Sequence, residues 1–201
     1  MPIRVILADD HEVVREGIRE LFRKEKTIKV VAEAGDGQET VALAKKHKPG
    51  IVIMDVSMDG MDGCQATREI CRRLPNTRVV ALSMHSDAGI VLRMLRAGAY
   101  GYLVKQDCFK EVVRAVLAVA DGDFYLSRSI DATSLFGWQH ASGGKGASPG
   151  GHAGFTPRER EIKELVDARL STKEIARLLG ISVKTAETHR RNLNRKLNDR
   201  A

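Results

Sequence analysis

Short apolar runs that alternate with amphipathic stretches are the feature that most constrains the fold of this chain. Five runs rich in β-branched residues predict strands, and they read IRVILA, IKVVAEA, GIVIMD, RVVALS and YGYLVK. Between them lie helical patterns such as HEVVREGIRELFRK, with one apolar stripe formed by Val14, Ile18, Leu21 and Phe22. Five such repeats predict a doubly wound α/β domain, in which helices cover both faces of a five-stranded parallel sheet.

The length and composition allow two domains and point away from a membrane. A chain of 201 residues, 43% of them hydrophobic, has room for one medium core and one small core. No apolar run approaches the length of a membrane span, and the start MPIRVILADDH does not have the pattern of a signal peptide. Cys64, Cys71 and Cys108 contain no C-x-x-C pair, which favours reduced thiols over a zinc site. We therefore expect a cytoplasmic protein.

The pattern and the charge divide the chain into two domains and a glycine-rich join. The strand and helix repeats occupy residues 1–126, whereas residues 127–154 contain seven glycines after residue 136, which predicts a flexible linker. Residues 155–201 carry twelve Lys and Arg against seven Asp and Glu, a net charge of +5 out of +7 for the whole chain. A small basic domain of this kind is expected to bind a polyanion such as double-stranded DNA.

Helix-start signals divide the second domain into three helices. A capping residue opens each of them, and these residues are Thr156 with Pro157 and Glu159, Ser171 with Glu174, and Ser182. Gly180 is placed to end the second helix. Three helices with tight turns and a basic last helix predict a helix-turn-helix unit, with a generic helical hairpin as the alternative.

The last helix offers one face to a small core and the other to DNA. Ala186, Leu193 and Leu197 recur at helical spacing and are predicted to face the core. The residues expected to reach base edges are Thr188, Arg191 and, as an acceptor for a cytosine amino group, Glu187. Those expected to contact phosphates are Lys184, Arg190, Arg195 and Lys196. The alternative is a basic face that is only solvated.

Carboxylates follow two of the predicted strands. Asp9 and Asp10 come directly after the first strand, and Asp55 ends the third. Because the carboxyl ends of parallel strands share one edge of a sheet, we expect these three side chains to converge. Such a cluster repels itself and is stable mainly around a hard divalent cation such as Mg²⁺. The alternative is that Asp9 and Asp10 cap the helix that starts near His11.

The stretch VIMDVSMDGMDG has two other interpretations. Asp55, Ser57 and Asp59 match the opening of a calcium loop, but the twelfth position is Ala66 instead of the closing Glu. A haloacid-dehalogenase-type phosphatase also places a nucleophilic Asp at a strand end. That family has a second Asp two residues on, where this chain has Ser57. Neither pattern is complete.

Two further strand ends add a hydroxyl and an ammonium group. Ser83 ends the fourth predicted strand and Lys105 ends the fifth. A nucleophilic carboxylate, a metal, a hydroxyl and an ammonium together suit phosphoryl transfer, in which charge on three equatorial oxygens must be neutralised.

In this order and spacing, the first domain closely resembles the receiver domain of two-component response regulators, and the matching positions are Asp9, Asp10, Asp55, Ser83, Tyr102 and Lys105. The second domain resembles the LuxR-type helix-turn-helix through TPREREI, STKEIARLLGIS and KTAETHRRNLNRKL. The pair is similar to the NarL/FixJ class of transcription regulators over everything except the linker. The resemblance implies a flavodoxin-like receiver and a phosphorylation-activated DNA-binding regulator, and it does not imply a turnover enzyme.

The resemblance also implies a role for each receiver residue. Asp55 would accept a phosphoryl group from a sensor histidine kinase, and Lys105 would pair with the phosphoryl oxygens. Mg²⁺ would be held by Asp10, Asp55 and the backbone carbonyl of Ser57, with Asp9 acting mostly through water.

Ser83 and Tyr102 are the implied switch. Ser83 would swing to hydrogen-bond the phosphorylated Asp55, and Tyr102 would rotate inward behind it. The surface formed by the fourth helix, fifth strand and fifth helix would change as a result.

Two departures from the family pattern bear on this expectation. Asp59 stands where the family commonly has Pro, which frees the loop backbone and adds a negative charge near the site. The sequence ends at NDRA, where the family has a fourth output helix that often pairs two output domains. Either the sequence is a truncated form of a longer chain, or pairing comes from elsewhere; we expect the receiver to pair as a homodimer when phosphorylated. An output domain that acts through protein contacts instead of DNA is the alternative function.

Overall fold

The computed structural model describes residues 1–130, 162–163, 165–167, 170–179 and 181–198. The chain divides into two units, Met1–Ile130 and Asp131–Ala201. The strands of the first unit are β1 (Ile3–Ala8), β2 (Ile28–Ala34), β3 (Ile51–Asp55), β4 (Arg78–Ser83), β5 (Gly101–Val104) and β6 (Tyr125–Leu126). Its helices are α1 (Glu12–Arg23), α2 (Gly37–His47), α3 (Gly63–Arg73), α4 (Ala88–Ala97) and α5 (Lys105–Ala120).

The strands of the first unit form one parallel sheet in the order β2-β1-β3-β4-β5-β6. The predicted α/β class and all five predicted strands are confirmed. The sheet has a sixth strand that the sequence did not predict, in which Tyr125 pairs with Gly101 and Leu126 pairs with Tyr102. A strand of two residues is too short to show any periodicity, which explains why it was missed.

Helices cover both faces of this sheet. In β1, Val5 and Leu7 pack in the core that contains residues of α1 and α5, whereas Ile6 and Ala8 pack in the core that contains residues of α2 and α3. The α4 helix lies beside α3. Because both faces of the central strands are buried, those strands read as continuous apolar runs in the sequence.

Three helices begin with an aspartate cap at the carboxyl edge of the sheet. Asp36, Asp62 and Asp87 each accept a hydrogen bond from the backbone N–H three residues on, at 2.8, 2.7 and 3.2 Å. These caps satisfy the free N–H groups at the starts of α2, α3 and α4. The caps therefore account for three of the acidic side chains at this edge, and leave Asp9 and Asp55 to another role.

The first unit continues past the predicted domain end at residue 126. Ser127 is 1% exposed and Ile130 is 6% exposed, and both pack in this unit. The predicted linker residues 131–154 lie outside the described part of the chain.

The second unit contains α6 (Thr172–Leu178) and α7 (Val183–Asn198), and residues 162–163 and 165–167 are also helical. The predicted capping box at Ser171 is confirmed, since its hydroxyl accepts from the Glu174 N–H at 3.3 Å and its own N–H donates to the Glu174 carboxylate at 2.6 Å. Ser182 accepts from the Thr185 N–H at 3.0 Å and caps α7. The predicted start of the first helix, at Thr156, Pro157 and Glu159, lies outside the described residues, as does Gly180.

The core of the second unit contains the predicted side chains of α7, with one exception. Ala186 and Leu193 are 0% and 1% exposed. Leu197 is 38% exposed, so the prediction that it faces the core was wrong. Leu197 lies in the last turn of α7, and helical spacing alone does not show whether a neighbouring element reaches that turn.

Within the described residues, every helix is too short or too polar to cross a lipid bilayer.

Candidate functional site

One lysine joins two buried carboxylates at the carboxyl edge of the sheet. The Nζ atom of Lys105 lies 2.7 Å from Asp9 Oδ2 and 2.7 Å from Asp55 Oδ2. The three side chains are 8%, 3% and 2% exposed. Asp9 follows β1, Asp55 ends β3 and Lys105 follows β5, so the parallel topology alone brings them together. The structure thus brings Asp9 and Asp55 together at this edge as expected, and Lys105 joins them.

The protonation of the site depends on burial and on these contacts. Burial, followed by the charge of Asp9, holds the pKa of Asp55 above its ordinary value, although Lys105 and the Ser57 N–H act in the opposite direction. Burial lowers the pKa of Lys105, but its bonds to Asp55 and Asp9 outweigh that effect and raise it. Lys105 therefore remains a cation, and it neutralises only one of the two carboxylates when both are ionised.

A third carboxylate and a histidine lie beside this pair. The Asp10 side chain is one-third exposed, and its Oδ1 lies 2.5 Å from His11 Nδ1. The His11 backbone N–H donates to Asp9 Oδ1 at 2.9 Å. His11 itself is the N-cap residue of α1, and no side chain caps this helix. The alternative role of Asp9 and Asp10 as helix caps is therefore not observed.

The four side chains could hold a metal ion. Ligand atoms of Asp9, Asp10, His11 and Asp55 all lie within 4.8 Å of one another. Three carboxylates with a single lysine leave excess negative charge, which a divalent cation would neutralise. His11 was not predicted as part of this group, although its place directly after Asp10 in ADDH is a signal in hindsight.

The loop after β3 touches the site through its backbone. The Ser57 N–H donates to Asp55 Oδ1 at 3.1 Å, and the ligand role of the Ser57 carbonyl remains a prediction. Asp59 is exposed and is not one of the four clustered side chains. A Cβ atom at Gly63 would lie 1.9 Å from the Asp55 carbonyl oxygen, so glycine is required where α3 begins against β3.

Ser83 and Tyr102 meet at the backbone of His85. The Ser83 hydroxyl accepts from the His85 N–H at 3.1 Å, and the Tyr102 hydroxyl donates to the His85 carbonyl at 2.8 Å. Tyr102 is fully buried, and this burial raises the pKa of its hydroxyl to about 12. Tyr102 thus lies inward in this structure, and a rotation into that position on phosphorylation, which the resemblance implies, stays a prediction.

The exposed face of α7 carries most of the predicted DNA-binding residues. Five of them are exposed, namely Lys184, Glu187, Thr188, Arg191 and Arg195. The Thr188 hydroxyl donates to the Lys184 carbonyl at 2.9 Å, so its lone pairs remain free to accept. The side chain of Lys196 lies outside the described part of the chain. Their contacts with DNA remain predictions.

Arg190 has a contact that the sequence did not predict. Its Nη1 donates to the hydroxyl of Thr172 at 2.7 Å, across eighteen residues. Thr172 is the first residue of α6, so this bond joins the start of one helix to the middle of the next. Arg190 therefore contributes to the packing of the two helices, and only its remaining N–H groups can reach a phosphate.

Two family models match the chain. Residues 5–117 match the response regulator receiver domain, and residues 153–200 match the bacterial regulatory proteins of the luxR family. The first match includes every residue of the acidic cluster together with Ser83, Tyr102 and Lys105, and the second includes the whole of α7.

Similarity to known proteins extends over nearly the full length of the chain in one case and over 70% and 65% of it in two solved structures. The transcriptional regulatory protein LiaR of Bacillus subtilis is 37% identical over 97% of this chain and 90% of that protein. A LuxR-family two-component response regulator from Aurantimonas has a solved structure that is 34% identical, with a TM-score of 0.65 over 70% of this chain and 99% of that one. The receiver domain of RcsB from Salmonella, solved with the phosphomimetic BeF₃⁻, is 27% identical, with a TM-score of 0.61 over 65% of this chain and 96% of that one.

The chain belongs to the LuxR/NarL family of response regulators, transcription regulators of two-component systems that join a receiver domain to a LuxR-type DNA-binding domain.

Proposed function

We propose that Asp55 is the phosphoacceptor of this regulator and that it takes the phosphoryl group from a phosphohistidine of a sensor histidine kinase. A carboxylate oxygen of Asp55 attacks phosphorus, the bond from phosphorus to the imidazole nitrogen breaks, and the histidine keeps the electron pair. The observation that carries this assignment is the 2.7 Å contact between Lys105 Nζ and Asp55 Oδ2 at the edge of a parallel sheet. An ammonium group at that distance can move from the carboxylate to the incoming phosphoryl oxygens without leaving the site.

Mg²⁺ is the proposed metal, because carboxylate and carbonyl oxygens are the ligands it prefers. Asp10, Asp55 and the Ser57 carbonyl would hold it, with Asp9 acting through water. When bound, it would neutralise charge on the transferring phosphoryl group. The one-third exposed Asp10 side chain suits this role, since Asp9 and Asp55 already share Lys105.

Ser83 and Tyr102 are the proposed switch. The Ser83 hydroxyl now accepts from the His85 N–H, so its own proton is available to a phosphoryl oxygen on Asp55. A move of Ser83 towards Asp55 would release the His85 N–H, while Tyr102 still holds the His85 carbonyl. Phosphorylation would therefore rearrange the segment between β4 and α4, with Tyr102 packed behind Ser83. The surface formed by α4, β5 and α5 near Tyr102 would change as a result and would pair two receivers.

The output of the switch is proposed to be DNA binding by α7. Thr188 and Arg191 would reach base edges, and Glu187 would accept from a cytosine amino group. The residues that would contact phosphates are Lys184, Arg190, Arg195 and Lys196. The exposure of the five described side chains on one capped helix supports this assignment.

The test of the phosphoacceptor compares Asp55, the last residue of β3, with Asp59 in the loop that follows that strand. The full chain is incubated with a small-molecule phosphodonor and Mg²⁺, and uptake of phosphoryl is measured for Asp55→Asn and for Asp59→Asn. Asp59 is the matched control, because it is exposed and lies outside the cluster. We expect no uptake in Asp55→Asn and normal uptake in Asp59→Asn. Undiminished uptake in Asp55→Asn would refute the assignment.

A further inference from the structure

Ser127 is a buried serine just beyond the last strand of the sheet, and three of its hydrogen bonds reach β5 and α5, while its carbonyl accepts from the Ile130 N–H at 3.0 Å. The residue as a whole is only 1% exposed. Its backbone N–H donates to the Tyr102 carbonyl at 2.9 Å, its hydroxyl accepts from the Val104 N–H at 3.3 Å, and the same hydroxyl donates to Glu111 Oε2 at 2.7 Å. A surface residue at the start of a linker would not need such a set of partners.

These bonds fall on the part of β5 that leads into the functional site. Tyr102 and Val104 stand on either side of Leu103, and Lys105 follows directly. The β6 strand pairs with β5 only as far as Tyr102. Beyond that point the Ser127 hydroxyl takes the place of a strand partner, because it satisfies the Val104 N–H. The backbone is thus fixed one residue before Lys105.

Glu111 sets the direction of the Ser127 hydroxyl. Its side chain is 7% exposed, and its other oxygen lies 4.0 Å from the Arg128 guanidinium. The Ser127 hydroxyl donates to a Glu111 carboxylate oxygen at 2.7 Å, so its proton points to Glu111. The oxygen lone pair is then left for the Val104 N–H. The carboxylate, in turn, is buried at lower cost because the hydroxyl satisfies it.

We propose that Ser127, oriented by Glu111, is a positioning residue for Lys105 in phosphoryl transfer, an inference that rests on the proposed role of Asp55. Lys105 Nζ lies 2.7 Å from both Asp9 and Asp55, where it is placed to meet an incoming phosphoryl oxygen. Its side chain can do so only if the backbone at Val104 and Lys105 stays in place. Ser127 and Glu111 touch none of the reacting groups and act through that backbone.

The experiment measures the rate of Asp55 phosphorylation in the full chain with a small-molecule phosphodonor and Mg²⁺, over a range of donor concentrations. Ser127→Ala removes the hydroxyl, and we expect the rate at saturating donor to fall about tenfold, as for a small misplacement of a group that acts in the transition state. The donor concentration that gives half of the maximal rate should change little. Ser127→Thr keeps the hydroxyl and should recover most of the rate.

Thr77→Val is the matched control. The Thr77 hydroxyl is also buried and donates to a backbone carbonyl, that of Pro49, at 2.7 Å, but it precedes β4 at the opposite end of the sheet. Denaturant unfolding of each variant shows whether the two losses of a hydrogen bond destabilise the fold to a similar extent. A rate that falls in Ser127→Ala and not in Thr77→Val supports a positioning role.

Two results would overturn the inference. One is a normal rate in Ser127→Ala, and the other is an equal fall in Ser127→Ala and Thr77→Val, which would make the effect a general loss of stability. If Ser127→Ala does not fold, Glu111→Gln serves instead, because it keeps the shape of the side chain while weakening the acceptor, and a normal rate there is equally contrary. A wild-type chain that takes up no phosphoryl on Asp55 would refute the proposed function itself.

Discussion

Lys105 and Asp55, fifty residues apart in the sequence, lie with Nζ and Oδ2 2.7 Å from each other, and both side chains are almost completely buried. The same ammonium lies 2.7 Å from Asp9. One cation shared between two carboxylates makes the charge state of each acid depend on the other.

Replacing Asp9 should change the acidity of Asp55. After burial, the charge of Asp9 is the main influence that raises the pKa of Asp55, so Asp9→Asn should lower that pKa. A carboxyl-carbon NMR titration of the metal-free chain measures this directly. Asp59→Asn removes an exposed charge outside the cluster and should leave the Asp55 titration unchanged. An Asp55 pKa that stays the same or rises in Asp9→Asn would contradict the assignment of this coupling.

The stability of the first unit should fall in alkaline solution because of Tyr102. Burial raises the pKa of its hydroxyl to about 12, whereas the pKa of a tyrosine in the unfolded chain is about 10. Between these two pKa values the folded chain keeps a proton that the unfolded chain releases. The contribution of the neutral Tyr102 hydroxyl to the free energy of unfolding is therefore complete below about pH 10 and is lost as the pH rises towards 12. Its size is of the order of 3 kcal/mol for a shift of about two pKa units.

Denaturant unfolding at a series of alkaline pH values measures that loss. Tyr102→Phe is the control, since it removes the ionisable group and keeps the ring in the core. We expect the decline of the unfolding free energy with pH to be shallower in Tyr102→Phe than in the wild type. Equal slopes in the two proteins would show that the Tyr102 hydroxyl is not held neutral by the fold.

Arg191 and Lys184 should respond differently on DNA, although both are exposed on α7. Arg191→Ala should cost about 1–3 kcal/mol at a specific site and relax discrimination at one base position. Lys184→Ala should weaken binding on all sequences alike and make the salt dependence shallower, because one phosphate contact is lost. Titrations of matched and mismatched duplexes at several salt concentrations separate the two. A uniform loss in Arg191→Ala would reassign it to a phosphate.

Activation should pair two copies of the chain. The proposed switch at Ser83 and Tyr102 lies within the first unit, so we expect it to act by pairing two receivers, with coverage of α7 by the receiver as the alternative. Sedimentation of the full chain with and without beryllofluoride, a phosphoryl mimic, should show a shift from monomer to dimer in the wild type and none in Asp55→Asn. A chain that stays monomeric at high concentration with the mimic bound would leave pairing without support.

The sequence predicted those parts of the site that follow from regular structure. Asp9, Asp55 and Lys105 could be placed together because each follows or ends an apolar, strand-like run, and parallel strands end at one edge. Ser171 and Ser182 could be assigned as caps because a capping residue acts on its own local backbone.

Contacts that depend on tertiary packing could not be predicted in this way. The bonds from Ser127 to Glu111, from Tyr102 to His85 and from Arg190 to Thr172 span sixteen, seventeen and eighteen residues and leave no period in the sequence. The exposure of Leu197 has a related cause, because helical spacing gives the direction of a side chain and not the length of the partner helix that would cover it.

The measurement that tests the proposed switch most directly is a DNA titration of the full chain with and without beryllofluoride and Mg²⁺, in the wild type and in Asp55→Asn. The mimic should strengthen binding of the wild type to its specific duplex, since activation favours the binding-competent state, and should leave Asp55→Asn unchanged. Equal affinity of the wild type with and without the mimic, or the same gain in Asp55→Asn, would contradict control of DNA binding through Asp55.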